Sequence, residues 1–354
     1  MKMFVTDFHY KRNYRVVDFP LILLLFIPSV FYAIGVCVRN FLYKNGMRKI
    51  YRSSLYTIAV GNLTTGGTGK TPVAAAIAKY LDKKGEKVAI LSRGYKGTLA
   101  NKDVNVISED GVIFYTASQA GDEPYWLAKN CPDCAVVTCA SRSKSAKFIE
   151  SKGNYTRLVL DDGYQHQKLQ RDLNILIVDS DRQFSNWWVL PMGALREPLW
   201  EVKRADRIVV VNKSFESEQA KQYCDQIRKK FKRPVFLCNM VPQEVYNIKT
   251  GVGLEKQSEI FAFSAIAQPD QFYSFLEHDY KLNGTKNYPD HHSYTKSDVG
   301  ELLKLAEGKK LVTTEKDAVK IKDLLGDMID KNIEVFALKL KPDLDVKGLL
   351  TLDS

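Results

Sequence analysis

The sequence predicts an α/β fold built on a mostly parallel β-sheet. Short apolar runs at 87–91, 157–160 and 174–178 alternate with stretches of helical periodicity, which is typical of parallel strands joined by crossover helices. Each run ends in polar or charged residues. Because ligands of such sheets bind at the carboxyl ends of the strands, these polar clusters are expected along one edge of the sheet.

A glycine-rich segment, 61–72, lies between a predicted strand at 56–60 and a predicted helix at 73–81, the context of a phosphate loop. Glycines let backbone N–H groups point at phosphate oxygens, and the helix N-terminus adds partial positive charge. We expect Lys70 to bridge the β- and γ-phosphates of ATP and the Thr71 hydroxyl to bind Mg²⁺, in a P-loop NTPase-like fold. The predicted nucleotide-binding residues are Thr64, Thr65, Gly66, Gly67, Thr68, Gly69, Lys70 and Thr71.

Two threonines in this loop separate the possible functions. Thr64 stands where the general phosphate-loop pattern has glycine. The main alternative to a phosphotransferase is a membrane-associated ATPase of the partitioning or targeting kind. Those ATPases carry a lysine directly before the Gly-Gly pair, and this chain has Thr65 there. The reaction product would separate three possibilities. A phosphorylated acceptor indicates a kinase, phosphate released to water indicates an ATPase, and no turnover indicates a scaffold that only binds nucleotide.

The second apolar run leads into a pair of carboxylates, Asp161 and Asp162, followed closely by Gln165 and His166. An apolar strand ending in Asp resembles a Walker B element, in which a carboxylate lies near Mg²⁺. One strand-end Asp often only forms a turn, but the pair followed by Gln and His favours a functional site. Arg93 follows the first apolar run and is expected at the same edge.

Three further clusters have open interpretations. Asp122 and Glu123 precede a helical stretch, where acidic residues serve as caps as readily as they serve catalysis. Arg142 is either a surface residue or a phosphate ligand. The sequence Asp-His-His at 290–292 is either a fragment of a metal site, without further ligand spacing, or a histidine that works with a carboxylate in acid–base chemistry.

Composition limits the partners. The chain has 354 residues, 45% of them hydrophobic, and a formal net charge of +11, which favours an anionic partner. It lacks a long basic tract interleaved with aromatic residues, so nucleic acid is not an expected partner. Cys131 and Cys134 have metal-ligand spacing but no second pair nearby, so buried free thiols in a reducing compartment are expected.

The strongly apolar stretch, residues 19–38, contains no charge and is close to the length that spans a bilayer. Basic residues lie on both sides of it, and Pro20 and Pro28 interrupt it. A helix lying in one leaflet fits best, with a true span and a buried core helix as alternatives. The predicted organisation is a membrane-associated helical segment at 1–52, a nucleotide-binding core domain at 53–201 and a smaller α/β domain at 202–354.

Together the motifs resemble the tetraacyldisaccharide 4′-kinase family, the lipid A 4′-kinases of Gram-negative bacteria. The motifs that carry the resemblance are Gly61–Pro72, Ser92–Tyr95, Gly121–Pro124, Leu160–His166, Leu195–Pro198, Val211–Lys213, Asp290–His292 and Thr313–Asp317. They occur in the family's order over nearly the whole chain, and Thr64 fits the family's own loop. Tyr164, where the family usually has Phe, and the segment 264–269 depart from its pattern.

The resemblance implies transfer of the ATP γ-phosphate to the 4′-hydroxyl of a tetraacylated disaccharide 1-phosphate, with Mg²⁺. It implies an enzyme on the cytoplasmic face of the inner membrane, with a lipid substrate. Apart from the resemblance, we expect a monomer. Asp122, assisted by His291, would be the catalytic base. Lys70 would be the third catalytic residue. The remaining implied residues are, for the metal, Thr71, Asp161, Asp162 and Glu197, and for substrate and phosphate, Arg93, Glu123, Arg142, Gln165 and His166.

Overall fold

The computed structural model describes residues 19–95, 97–215, 217–290, 292–327 and 333–351. Within these residues thirteen strands form one sheet, ordered β11-β10-β12-β13-β9-β8-β7-β1-β6-β2-β5-β3-β4. The strands are β1 (Tyr56–Asn62), β2 (Val88–Ser92), β3 (Asn105–Glu109), β4 (Val112–Ile113), β5 (Ala135–Thr138), β6 (Arg157–Asp161), β7 (Leu173–Asp179), β8 (Arg207–Asn212), β9 (Val235–Asn247), β10 (Glu259–Ser264), β11 (Lys281–Asn287), β12 (Lys310–Thr314) and β13 (Val335–Asp343).

Helices alternate with these strands along the chain. They are α1 (Phe19–Lys44), α2 (Lys70–Asp82), α3 (Ala117–Ala120), α4 (Asp122–Asn130), α5 (Arg142–Lys152), α6 (Ser217–Phe231), α7 (Pro269–Asp279), α8 (Lys296–Ala306), α9 (Glu315–Asp327) and α10 (Val346–Leu350), with a 3₁₀ helix at Leu199–Arg204. The predicted α/β class with a mostly parallel sheet is confirmed.

The central strands explain where the site lies. β1 pairs in parallel with β6 on one side and with β7 on the other, and β8 and β2 continue the parallel order. Val60 is in register with Asp161, so the segment after β1 and the carboxylates at the end of β6 reach the same edge of the sheet. These strands are almost wholly buried, which their continuous apolar runs dictate.

Strand β9 connects the central strands to those near the carboxyl terminus. Its first residues pair in parallel with β8, and residues 239–247 pair antiparallel with β13. The sheet therefore continues past the predicted boundary at residue 202, which falls inside the 3₁₀ helix. The sheet has no break at that point, so its strand pairing does not divide the chain there. The division into two α/β domains stays a prediction.

Helix α1 extends the predicted apolar stretch to Lys44 and contains Pro28. It is long and apolar enough to cross a membrane by length and composition, and little of it is buried. From Ser29 onward, α1 nevertheless contacts the rest of the protein. Ser29 donates a hydrogen bond of 2.8 Å to the carbonyl of Val189, and Tyr32 donates one of 2.9 Å to the carbonyl of Arg196.

Candidate active site at the phosphate loop

A cavity of about 900 Å³ opens at the carboxyl edge of the central strands, within the size range of small-molecule sites. The phosphate loop forms one wall of it, residues Ile266–Gln268 and helix α7 form another, and Tyr32 and Arg39 of α1 line a third side. The cavity therefore joins the predicted nucleotide site to the apolar amino-terminal helix.

The phosphate loop has the backbone that its glycines predict. Gly66 and Gly69 have φ values of 98° and 87°, in the left-handed region that glycine adopts at little cost. A Cβ on Gly69 would also lie 2.9 Å from a methyl group of Val211. Gly69 is the N-cap of α2, so Lys70 begins the helix, and the residues of its first turn, Lys70, Thr71 and Pro72, line the cavity.

The Thr71 hydroxyl donates a hydrogen bond of 3.1 Å to Oδ2 of Asp161. Burial raises the pKa of Asp161 to about 7; the negative charge of Glu123 adds to this effect, and Lys70 opposes it. Asp161 is thus a buried carboxylate beside a hydroxyl, without enough local positive charge to favour its ionised form fully. A bound cation would supply that charge.

Asp162 has the opposite electrostatic balance. Burial would raise its pKa, but the charges of Lys70 and Arg196 outweigh that effect and hold the pKa at about 2. Lys70 Nζ lies 3.7 Å from Asp162, and one Arg196 nitrogen lies 2.9 Å from both carboxylate oxygens. The backbone of Asp162 is left-handed, with φ of 53°, which is uncommon outside glycine and recurs at functional sites. Asp162 therefore orients Lys70 and Arg196.

Arg142, the first residue of α5, is buried at this edge rather than exposed. Its guanidinium donates hydrogen bonds to the carbonyls of Cys139 and Asp161, and its Nε, within the described residues, is buried without a partner. Its backbone N–H donates to Nε2 of His166 at 3.1 Å. Burial, reinforced by the charge of Arg142, lowers the pKa of His166 to about 3, so this histidine is neutral.

Gln165 and Arg93 also line the cavity. The Gln165 amide donates a hydrogen bond of 2.8 Å to the carbonyl of Asn62, at the end of β1, and its oxygen faces Arg196. The structure therefore brings Arg93, Gln165 and His166 to the same edge as the phosphate loop, as predicted from the rule that ligands bind at the carboxyl ends of parallel strands (the strand-end rule). Arg142, whose position the sequence left open, lies at this edge too.

Asp122 and Glu123 begin helix α4, whose N-cap is Gly121 and which has no side-chain cap hydrogen bond. Both carboxylates lie in the first turn of this helix, where acidic side chains favour the positive end of the helix dipole, so the capping and catalytic interpretations both stay open. Asp122 lies 3.3 Å from Nζ of Lys320, and Glu123 lies 3.8 Å from Nζ of Lys316, both lysines of α9. Glu123 lines the cavity.

His291 lies outside the described residues, so its predicted pairing with Asp122 stays a prediction. The residues on either side of it are described. Asp290 lines the cavity, and the carbonyl of His292 accepts a hydrogen bond of 3.2 Å from Lys320, the same lysine that contacts Asp122. The His292 ring lies 3.1 Å from Asp298.

Glu197 is fully buried and forms ion pairs with Arg39 of α1 and Arg204 of the 3₁₀ helix. It is not among the residues that line the cavity. Two arginines already neutralise its charge, so its predicted role at the metal stays a prediction that these contacts do not support. Among the described residues, no cluster of three or more His, Cys, Asp or Glu side chains could hold a metal ion.

Lys213, to which the sequence assigned no role, donates hydrogen bonds to three different residues at the loop. It lies directly after β8, so the strand-end rule could have identified it. Its Nζ lies 2.6 Å from Asp179 and 2.7 Å from Oε1 of Gln268, and it also donates to the carbonyl of Gly67. Arg196 was quoted only as part of a motif, and no pattern in the sequence indicated its contact with Asp162.

Comparison with known proteins agrees with this geometry. Residues 21–352 match the sequence model of the family described as tetraacyldisaccharide-1-P 4′-kinase. The tetraacyldisaccharide 4′-kinase of Geobacter metallireducens is 35% identical over 345 residues, covering 93% of this chain and 96% of the relative. That of Bdellovibrio bacteriovorus is 34% identical over 307 residues, covering 84% of this chain and 89% of the relative.

The comparison extends to three dimensions. A crystal structure of the "apo" form of LpxK from Aquifex aeolicus in complex with ATP aligns with a TM-score of 0.71 and 32% identity, over 91% of this chain and 94% of that one. Family model, relatives and structure all favour a kinase over the partitioning ATPase that the loop alone left open. The chain is a member of the tetraacyldisaccharide 4′-kinase family.

Proposed function

We propose that this chain transfers the γ-phosphate of ATP to the 4′-hydroxyl of a tetraacylated glucosamine disaccharide 1-phosphate, forming the 4′-phosphorylated lipid and ADP. The observation that carries the proposal is the shared cavity, which the phosphate loop lines on one side and residues of the apolar helix α1 on another. A donor site for phosphate thus opens beside an element suited to a lipid surface.

The phosphate loop would hold the triphosphate of ATP. Backbone amides of Gly66, Gly67, Gly69, Lys70 and Thr71 would donate to the phosphates, since those of Thr65 and Thr68 already donate to the carbonyls of Ala194 and Gly66. Lys70 would neutralise charge on the group being transferred. Arg93, Arg142 and Arg196 line the same cavity and add positive charge around it. Most of the rate gain is expected from this charge stabilisation and from positioning.

The donor set at the loop fits Mg²⁺. The Thr71 hydroxyl and the Asp161 carboxylate are hard oxygen ligands in contact with each other, and the raised pKa of Asp161 indicates a site short of positive charge. Mg²⁺ is commonly held by one or two protein oxygens with phosphates and water completing the shell. When bound, Mg²⁺ would neutralise phosphate charge, while Asp162 orients Lys70 and Arg196.

Asp122 would accept the proton of the 4′-hydroxyl as that oxygen bonds to the γ-phosphorus and the bond to ADP breaks. Support comes from the position of Asp122 at the start of α4, next to the cavity-lining Glu123. Lys320 contacts both Asp122 and the carbonyl of His292, so His292 lies one side chain away from the proposed base. We keep His291 as the proposed partner that orients the Asp122 carboxylate.

Helix α1 would lie in one leaflet on the cytoplasmic side instead of crossing the bilayer. Its residues from Ser29 to Asn40 contact the core through hydrogen bonds and an ion pair, which a spanning helix could not keep. Only residues 19–28 remain available to enter the bilayer. As a helix they extend about 15 Å at about 1.5 Å per residue, which is half the thickness of a hydrocarbon core of about 30 Å.

The proposal is tested with the purified full chain, labelled ATP and a tetraacyldisaccharide 1-phosphate in mixed micelles, with the lipid product resolved by mass. We expect one added phosphate on the lipid. Lys70→Ala should lower turnover by at least about 10²-fold, since a charge that stabilises the transferring group is lost. Lys79→Ala, an exposed lysine on the same helix, is the matched control. Phosphate released to water without lipid product would instead support the ATPase interpretation.

A further inference from the structure

Three of the four tryptophans lie on the surface, and two of them, Trp188 and Trp200, lie beside helix α1. Trp187 and Trp200 are each 59% exposed and Trp188 is 39% exposed, so none of these three side chains belongs to the core. We infer that Trp187, Trp188 and Trp200, with the basic residues next to them, form a second membrane-binding surface that seats the enzyme on an anionic bilayer. This inference rests on the membrane association proposed above and extends it to the catalytic core.

The loop that carries two of the tryptophans has an unusual backbone. Gln183, Ser185 and Trp187 have φ values of 50°, 61° and 69°, a region that side chains other than glycine rarely adopt. Asn186 fixes the loop through a hydrogen bond of 3.0 Å from its side chain to the carbonyl of Met192. The fold therefore holds this backbone in a costly conformation while the Trp187 ring points outward, which indicates a function for the ring.

Trp188 and Trp200 are continuous with the apolar helix, and Trp187 directly precedes Trp188 in the same loop. The ring of Trp188 packs edge-on against Phe26 of α1, with 5.6 Å between centroids. Trp188 and Trp200 also line an open apolar groove of about 320 Å³ whose other wall is α1 from Ser29 to Val38. If α1 lies against lipid, Trp188 and Trp200 therefore lie at the same depth in the bilayer as α1. Tryptophan is enriched at that interfacial level.

Positive charge surrounds the same surface. Lys230, exposed at the end of α6, lies 3.9 Å above the ring of Trp187. Arg233 donates a hydrogen bond of 2.8 Å to the carbonyl of Lys203, whose exposed side chain is three residues from Trp200. Aromatic rings flanked by lysines match a bilayer with anionic headgroups, because the rings enter the interface while the ammonium groups meet phosphate.

The depth of each tryptophan can be measured directly. In full-length variants that keep one tryptophan and replace the others with Phe, fluorescence is recorded on phosphatidylglycerol/phosphatidylcholine vesicles with brominated acyl chains. We expect Trp187 and Trp200 to lose at least about half of their emission, as interfacial rings do, and Trp126, which lines the catalytic cavity, to lose little. A Phe31→Trp reporter in a variant without other tryptophans reports on α1.

The outcomes separate the two levels of the proposal. Quenching of the α1 reporter without quenching of Trp187 and Trp200 overturns the second surface and leaves the anchor intact. No quenching at any position overturns both, without bearing on phosphate transfer, which is measured in micelles. Emission of Trp187 that shifts with protein concentration but not with lipid would show a contact between copies and would also overturn the inference.

The role of charge is tested by a matched pair of double variants. Lys203→Glu with Lys230→Glu should weaken binding to anionic vesicles by at least about tenfold, since each lysine near the surface contributes to attraction. Lys249→Glu with Lys281→Glu changes the net charge equally at two exposed positions, in the turn after β9 and at the start of β11, and should change binding at most about twofold. Equal losses in the two pairs would show that net charge alone drives binding and would overturn the assigned surface.

Discussion

Lys320 Nζ lies 3.3 Å from a carboxylate oxygen of Asp122 and at the same distance from Asp317. The contact joins the start of α4, beside the phosphate loop's edge, to α9, which follows strand β12. The proposed base and its cation therefore come from elements separated by nearly 200 positions in the sequence. Any movement of α9 relative to α4 would change the charge that faces Asp122, so catalysis should depend on how these helices pack.

Replacing Asp122 with Asn should lower kcat by at least about 10²-fold and leave the KM for ATP little changed. The amide keeps the shape of the side chain but cannot accept the hydroxyl proton, which is the signature of lost general-base catalysis. Steady-state kinetics with each substrate varied would measure both constants. Glu301→Gln, an exposed carboxylate paired with Lys286, is the control, and near-normal turnover of Asp122→Asn would remove the residue from this role.

The strand-end rule predicted much of the site. Lys70, Thr71 and Asp161 meet because β1 and β6 are parallel neighbours, a relation that apolar runs and turns encode locally. The partners of Glu197 could not be predicted that way. Its contact with Arg39 crosses 158 positions and depends on how α1 packs on the core, which no local pattern specifies.

The same limit explains Arg196 and the sheet's extent. Nothing in the sequence around Arg196 indicates that its guanidinium reaches both oxygens of Asp162. Strand β9 was likewise not predicted, and it pairs in parallel with β8 on one side and antiparallel with β13 on the other. Long-range pairing of this kind is decided by tertiary packing, so sequence periodicity predicted four central strands and not the order or extent of the thirteen-stranded sheet that the described residues form.

Lys213→Met should raise the KM for ATP by at least about tenfold, because the loop carbonyl of Gly67 loses a charged donor worth roughly 1.5–3 kcal/mol. It should also destabilise the protein, since Lys213 holds the pKa of Asp179 below its usual value against the effect of burial. Without Lys213 that carboxylate is buried and unpaired. ATP titrations and urea denaturation measure the two effects.

The double variant Lys213→Met with Asp179→Asn is the matched control for the second effect. It should recover much of the lost free energy of unfolding, because no buried charge is left without a partner. It should not recover ATP affinity, since the donor to Gly67 is still missing. Additive losses of stability would contradict the pairing of Lys213 and Asp179.

Gly61→Ala should lower the free energy of unfolding by about 1–3 kcal/mol, the usual cost of overpacking a tight site. A Cβ on Gly61 would lie 2.6 Å from the backbone nitrogen of Tyr164, and the buried strand β1 has no room to move away. Gly67→Ala is the matched control for stability, because a Cβ there meets no atom within 4 Å. Denaturation midpoints of the two variants should differ clearly, and equal midpoints would contradict this packing.

His166 should make stability depend on pH in a defined window. Burial, aided by the charge of Arg142, lowers its pKa from 6.5 to about 3, so between these values the unfolded chain binds the proton and the folded chain does not. The contribution of His166 is therefore complete above about pH 6.5 and is lost as the pH falls towards 3. His166→Gln can still accept the hydrogen bond from the Arg142 backbone but cannot be protonated. Urea denaturation at pH 7.5 and 4.5 measures the loss of stability on acidification, and this loss should be smaller for the variant than for the parent chain. Equal losses would show that His166 is protonated in the folded protein as readily as in the unfolded chain.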